Sequence, residues 1–454
     1  MISPSGACFF SPLAHAAVLP VDENRRFWLL RASSHMSAAC NISLPTPAHR
    51  HRGACMQFPE HTEESYIAAM EMGAGIVECD VAVTKDGQLV CRHDQCDLHT
   101  STNILKTDLA SKCKRTWENR NVSIKQEVQC CASDLTLAEF KTLKGRMDSW
   151  NANGATVDTA MDGNPKWRTT LYEHGKLVTH KESVELIKKW GRKATPELKK
   201  YTQGSGMPSY DEIRDKVVQD FKDVGFNASH VWLQSFELPD IRYWIKKHPD
   251  FGKQAVYLDD AYCDGTKADC EKVVPGVVGR PDGDGGEGSP FAVPDISFAK
   301  LKAEGVNFIA PPMQVLLKAD GDKYAPSEYA KEAKNAGLKI ITWTLERSGN
   351  LAAASTAAPA RSVGGGGWYY GTVNGITDNE GDVFEMLHVL DKDVQIEGIF
   401  SDWSATTTFY ANCIKKPINC QPPVILSPAS RTTVSFIVRL SAALALSVFA
   451  LTWH

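Results

Sequence analysis

The chain has 454 residues, 43% of them hydrophobic and 23% charged, with 50 Lys+Arg against 54 Asp+Glu and a formal net charge of −4. That balance excludes a disordered, collagen-like or polytopic membrane protein. It also lacks the positive charge that a phosphate backbone would select, so no nucleic acid partner is expected.

Residues 1–45 show no convincing periodicity. Cys8 to Leu19 is mildly apolar, but without a basic start it makes a poor signal peptide. Beyond this segment, short apolar runs alternate with helical patterns. Strands are predicted at Gly75–Thr84, Leu89–His93, Ala194–Leu198, Val231–Phe236, Ala255–Leu258, Val306–Ala310, Lys339–Leu345 and Ile396–Ser401, with a shorter one before His51. Helices are predicted at Thr62–Met72, Ser183–Trp190, Tyr210–Val224, Pro239–Lys247, Ile296–Glu304, Ser327–Ala336 and Asp382–Leu390. Alternation on this scale points to a parallel sheet, and the length favours a closed (β/α)8 TIM-type barrel over an open sheet. An open doubly wound sheet is the rival, but no glycine-rich phosphate loop follows an early strand.

The barrel region spans 46–413. Three stretches break its rhythm. About 85 residues between His93 and Lys181 hold no clear βα unit, so residues 95–181 form an inserted subdomain after the third strand. Asp259 to Pro294 reads as a surface loop, and Ser355 to Tyr370 as a glycine-rich loop able to overhang the barrel mouth. Residues 414–454 form a polar, Pro-rich tail ending in an apolar run. Leu440 to Trp453 is too short to span ~30 Å of hydrocarbon at 1.5 Å per residue. With the small residues near Ser427–Ser430 it resembles a lipid-anchor attachment signal, which would attach the chain to a membrane; an amphipathic terminal helix is the alternative.

Among 13 cysteines, Cys263/Cys270 and Cys413/Cys420 are spaced to close short disulfide loops, and Cys130-Cys131 is a vicinal pair. No CxxC occurs, which argues against zinc. Glycosylation sequons start at Asn41, Asn121 and Asn227. These features favour the secretory route, with the protein secreted or at the cell surface. The poor N-terminal signal and the odd cysteine count leave the cytoplasm open.

The chemistry gathers on a few short segments. In Glu78-Cys79-Asp80, a period of two puts both carboxylates on one strand face and Val77, Cys79, Val81 and Val83 on the other. Two acids side by side repel each other, and a divalent cation removes the conflict. Asp86-Gly87 between two alternating runs predicts a two-residue hairpin loop, which pairs Lys85 with Gln88 and sets His93 opposite Asp80. Glu197-Leu198-Lys199 puts a third acid and a base on one face, suited to a hard cation and an anion beside it. His51-Arg52-Gly53 offers a proton carrier, a bidentate phosphate ligand and a close backbone approach. Together these are the parts for metal-assisted phosphodiester cleavage.

In this order, His51-Arg52-Gly53, Pro59-Glu60-His61-Thr62, Glu78-Cys79-Asp80, Thr84-Lys85-Asp86-Gly87, His93-Asp94 and Glu197-Leu198-Lys199 resemble the glycerophosphodiester phosphodiesterase family. Gln234-Ser235-Phe236, Trp343-Thr344 and Gly398-Ile399-Phe400-Ser401-Asp402 are similar to that family's later strands. The resemblance implies hydrolysis of a small-molecule glycerophosphodiester to sn-glycerol 3-phosphate and an alcohol. It implies one Ca²⁺ or Mg²⁺ held by Glu78, Asp80 and Glu197, and His51 and His93 as general acid and base. Arg52 and Lys199 would neutralise the phosphate. From the later strands, Phe236 and Trp343 are the side chains placed to line the substrate site. Alternatives are a lysophospholipase D or sphingomyelinase-D-like phosphodiesterase, and a non-catalytic barrel serving as a surface binding module. No protein partner is inferred. The segment before His51 departs from the family, since Pro45 and Pro47 make it a poor strand.

Overall fold

Short parallel strands, most of them buried, alternate with helices in the computed structural model, which describes residues 49–50, 52–121, 127–164, 168–169, 172, 174–204, 206–259, 297–347 and 369–414. The strands are β1 His49–Arg50, β2 Ile76–Val83, β3 Leu89–Cys91, β4 Lys193–Leu198, β5 Gln234–Ser235, β6 Val256–Leu258, β7 Phe308–Ala310, β8 Lys339–Leu345 and β9 Gly398–Ser401. They hydrogen-bond in the order β1-β9-β8-β7-β6-β5-β4-β2-β3. All neighbours run parallel except the antiparallel β2–β3 hairpin. β1 also packs beside β2, so the curled sheet returns on itself as a (β/α)8 barrel with β3 as an extra strand outside the ring. The helices are α1 Glu63–Glu71, α2 His180–Lys189, α3 Tyr210–Val224, α4 Leu238–Lys247, α5 Phe298–Ala303, α6 Glu328–Asn335, α7 Glu380–Val389 and α8 Ser404–Phe409.

Side-chain alternation along β2 builds the two layers of the core. Val77, Cys79, Val81 and Val83 pack outward with Met70, Val217, Ile241 and Trp244 under the helices. Ile76 points the other way, into an interior cluster with Trp232, Val256, Leu258, Phe308, Ala310, Ile341 and Phe400. Glu78 and Asp80 share the parity of Ile76, so they sit on the interior face above this apolar plug, toward the C-terminal ends of the strands. β2 is flanked on both sides by other strands, and every one of its residues is buried. β2 is therefore an interior strand of the barrel wall.

Residues 92–178 form the insertion between β3 and α2. Their regular elements are short: 3₁₀ turns, four- and five-residue helices, and a two-residue ribbon pairing Lys144–Gly145 with Gly175–Lys176. Its small core of Leu98, Ile104, Phe140 and Leu143 is reinforced by the disulfides Cys96–Cys131 and Cys113–Cys130. A third disulfide, Cys79–Cys91, joins β2 to β3. Cys263, Cys270, Cys420 and the side chain of Cys413 lie outside the described residues, as do most of the two expected surface loops and the apolar tail. Among the described residues no helix is long and apolar enough to cross a membrane.

The hairpin register departs from the expected one by a single residue. The pairs are Val81–Cys91, Ala82–Val90 and Val83–Leu89, so Asp80 faces Arg92 rather than His93, and the Arg92 N–H donates to the Asp80 carbonyl at 2.8 Å. The cause is a three-residue loop, Lys85-Asp86-Gly87, in place of two. Gly87 N–H closes a turn on the Thr84 carbonyl at 2.9 Å, and Gly87 takes the left-handed conformation (φ 70) before Thr84 and Gln88 pair. The Thr84 hydroxyl stabilises the wider loop by donating to Asp86 Oδ1 at 2.6 Å and accepting from Gln88 N–H at 2.9 Å. α2 begins three residues earlier than predicted because Thr179 and Glu182 form a capping box. A ribbon of Leu317–Asp320 with Lys323–Pro326, and helix α8, had no strong sequence signal.

Non-reducing peptide mapping should recover Cys79–Cys91, Cys96–Cys131 and Cys113–Cys130; other pairings among these six would contradict this fold. The Cys113→Ala/Cys130→Ala variant should lose about 3 kcal/mol in denaturant unfolding, the scale expected for its loop length. At Gly87 an added Cβ would lie 2.7 Å from Pro208 Cγ as well as adopting a positive φ, so Gly87→Ala should cost ~1–2 kcal/mol.

Candidate active site

Strand register brings the acids together. In the parallel β2–β4 pair Asp80 faces Glu197 and Glu78 faces Thr195, two residues along the same face. Oxygens of Glu78, Asp80 and Glu197 lie within 4.8 Å of one another, and all three side chains are buried. Lys199, also expected here, follows β4. Its Nζ lies 2.6 Å from Glu197 Oε1 and 3.8 Å from Asp80 Oδ2.

The loop after β1 supplies the second cation. Arg52 N–H donates to Glu78 Oε2 at 2.9 Å, its Nη1 donates to Glu60 Oε2 at 3.0 Å, and its Nε lies 3.6 Å from Asp80 Oδ2. The local backbone is unusual, with Arg52 at φ 58, Gly53 at φ 91 and His61 at φ 53. Gly53 is required there, because a Cβ would lie 2.3 Å from Ser65 Oγ and 2.9 Å from the Ser65 backbone. Left-handed non-glycine residues at two positions of one loop are uncommon, and such strain concentrates at functional sites.

Four contributors were not picked out as site residues by sequence reasoning. His61 sets Nε2 2.9 Å from Asp80 Oδ2 and Nδ1 2.8 Å from the Tyr66 hydroxyl. Gln234 Nε2 donates to Glu78 Oε1 at 2.7 Å. Glu60 holds Arg52, and the fully buried Arg92 donates to the Glu60 carbonyl and to Ser101 Oγ, the latter at 3.1 Å. The signals were faint. Arg92 is a charge ending an apolar strand, and Glu60-His61 lies within a recognised motif without an evident role.

The electrostatics follow from burial and crowding. Burial, then Asp80 and Glu197, push the Glu78 carboxyl well above its ordinary range. Burial lifts Glu197 to about 7, although Lys199 opposes it. Burial also acts on Asp80, but Lys199, His61 and Arg52 outweigh it and hold that carboxyl below its usual value. Burial pulls the His61 imidazole down against the pull of Asp80, which favours the neutral ring. Asp80 Oδ1 is buried with no hydrogen-bond partner among the described residues. Three converging carboxylates, one with an oxygen lacking a donor, fit a hard divalent cation.

The remaining expected residues are placed as follows. His51 lies outside the described residues. His93 is half-buried, two residues past the end of β3. Trp343 on β8 donates Nε1–H to the Ala310 carbonyl at 2.8 Å, and its ring stands nearly perpendicular to Phe236 and Tyr369 at 5.9 and 6.1 Å between centroids. An ion-pair chain ties the insertion to the mouth. Arg168 meets Asp148 at 2.6 Å, and Arg347 bridges Asp148 at 3.1 Å and Asp402 at 3.0 Å.

Comparison with known proteins gives the family. A model of the glycerophosphoryl diester phosphodiesterase family matches residues 51–278, half of the chain. A protein of Arthroderma benhamiae named "Extracellular protein" is 34% identical over 273 residues, covering 59% of this chain and 99% of that protein. A Mycobacterium tuberculosis protein named "Probable glycerophosphodiester phosphodiesterase 1" is 34% identical over 113 residues, 24% of this chain, and the chain spans only 32% of its length. A solved Oleispira antarctica phosphodiesterase, in complex with the product sn-glycerol-3-phosphate, is 16% identical with a TM-score of 0.43, covering 82% of this chain and 98% of that one. With the family match running from residue 51 through β4 to β6, the chain belongs to the glycerophosphoryl diester phosphodiesterase family, a family of phosphoric diester hydrolases.

Proposed function

We propose that this protein hydrolyses glycerophosphodiesters to sn-glycerol 3-phosphate and an alcohol in a reaction that depends on one divalent cation. The observation that carries this reading is the buried Glu78–Asp80–Glu197 cluster flanked by Arg52 and Lys199. Those three carboxylates would hold Ca²⁺ or Mg²⁺, which when bound adds positive charge where a phosphate gathers negative charge.

Each protein group then has a distinct task. Arg52 and Lys199 bring two fixed cations to the phosphate's non-bridging oxygens, and burial strengthens both interactions by excluding water. Glu60 limits the rotation of the Arg52 guanidinium, so a fork rather than a diffuse charge meets the phosphate. His51 and His93 act as the general acid–base pair. One withdraws the proton of the attacking oxygen, and the other protonates the departing alcohol as the P–O bond breaks. Trp343 borders the substrate's path from the opposite side of the barrel. Export belongs to the same reading, supported by three disulfides and by the extracellular relative. The domain limits proposed are 46–413 for the barrel, with residues 95–181 inserted.

Glycerophosphocholine turnover tests the assignment. His93→Ala should lower kcat by ~10²–10⁴-fold, the range of a single proton carrier. Glu78→Gln and Glu197→Gln should lose activity together with cation binding, each variant being checked for an unchanged circular dichroism spectrum. Near-normal turnover in folded His93→Ala or Glu78→Gln would overturn the mechanism. Chelation should abolish activity, and Ca²⁺ or Mg²⁺ should restore it; turnover indifferent to chelator would exclude the cation's role.

A further inference from the structure

Tyr66, His61 and Asp80 form a line of hydrogen bonds from helix α1 into the acidic cluster, 2.8 Å from Tyr66 Oη to His61 Nδ1 and 2.9 Å from His61 Nε2 to Asp80 Oδ2. Tyr66 and His61 have no solvent exposure, and Asp80 has 1%. An ionised carboxylate only accepts, so His61 Nε2 must carry a proton; in the neutral ring Nδ1 then accepts from the Tyr66 hydroxyl. The tautomer is thus set by the two partners.

The two oxygens of Asp80 are treated unequally. His61 Nε2, Arg52 Nε and Lys199 Nζ all lie on the Oδ2 side, at 2.9, 3.6 and 3.8 Å. Oδ1 has no hydrogen-bond partner among the described residues and is buried. A buried carboxylate oxygen without a donor is costly unless a cation meets it. The loop is also built to deliver the ring. His61 takes a left-handed backbone and its N–H donates to the Arg52 carbonyl at 3.1 Å, which links the phosphate-side arginine to the same relay.

We propose that the Tyr66–His61 pair is a positioning relay for the cation site: by holding Asp80 Oδ2 it presents Oδ1 to the divalent ion. This rests on the reading of Glu78, Asp80 and Glu197 as cation ligands. Groups behind a ligand fix its orientation, and their loss typically weakens metal binding by ~10–100-fold.

Calorimetric titration of Ca²⁺ and of Mg²⁺ into chelator-stripped full-length protein tests the relay without turnover. His61→Leu, which fills the space but donates nothing, should bind ~10–100-fold more weakly, and Tyr66→Phe ~3–10-fold more weakly. His61→Gln retains a donor for Asp80 and an acceptor for Tyr66, and should stay within roughly threefold of wild type. A loss in His61→Leu that His61→Gln repairs is not expected of mere packing. Histidine ¹⁵N spectra should show His61 as the neutral Nε2–H tautomer, assigned by its disappearance in His61→Gln; an Nδ1–H tautomer overturns the relay. Wild-type affinity in Tyr66→Phe and His61→Leu overturns the relay alone, and Tyr66→Phe decides if His61→Leu does not fold. Failure of the wild type to bind either ion overturns the cation site itself and the relay with it.

Discussion

Three carboxylates share one small buried volume at the mouth of the barrel, and much of the surrounding structure answers that concentration of charge. With oxygens within 4.8 Å of one another, each pair would cost at least roughly 3 kcal/mol at an effective dielectric constant of about 20 if both members were ionised. Three such pairs would approach the whole net stability of an ordinary domain, about 5–15 kcal/mol. The fold therefore surrounds them with compensation: Lys199 against Glu197, the Arg52 N–H and the Gln234 amide on Glu78, and His61 on Asp80. What remains uncompensated is the negative charge that the proposed divalent ion would meet.

That charge reaches the loops through shared partners. Arg52 is held by Glu60, whose carbonyl is gripped by Arg92, which in turn lies opposite Asp80 in the hairpin. The circuit returns to the strand it started from. It explains why an arginine is tolerated with no exposure at the end of β3: it links the β1 loop, the hairpin and the first turn of the insertion through Ser101. The insertion is anchored a second time, where Asp148 sits between Arg168 and Arg347. Breaking one partner of such a buried pair leaves the other charge unmatched, typically a penalty of ~3–5 kcal/mol.

The barrel and the acidic triad were legible because they rest on period and register. Val77 to Val83 alternates cleanly, and a parallel neighbour carrying Glu197 needs only to be in phase. The hairpin register was misread by one residue because Thr84 caps the turn with its side chain and Gly87 goes left-handed, which a dipeptide rule does not weigh. His61 was illegible for a related reason. The placement of its ring depends on a positive φ two residues before α1 and on Tyr66 one turn into that helix, neither of which leaves a periodic mark. The disulfides were equally hidden, since Cys130 and Cys131 pair with partners 17 and 35 residues away. Only the folded insertion sets those distances.

The adjacent Cys130 and Cys131 give the insertion a property that its small core alone would not. Because Cys113 is tied to one and Cys96 to the other, the chain from 96 to 131 is enclosed by two nested covalent loops. A single backbone cut anywhere between Cys113 and Cys130 opens the inner loop but releases no fragment, as both new ends stay tethered to the same pair of residues. Wherever a protease cuts between those two cysteines, the insertion stays covalently attached to the barrel on both sides.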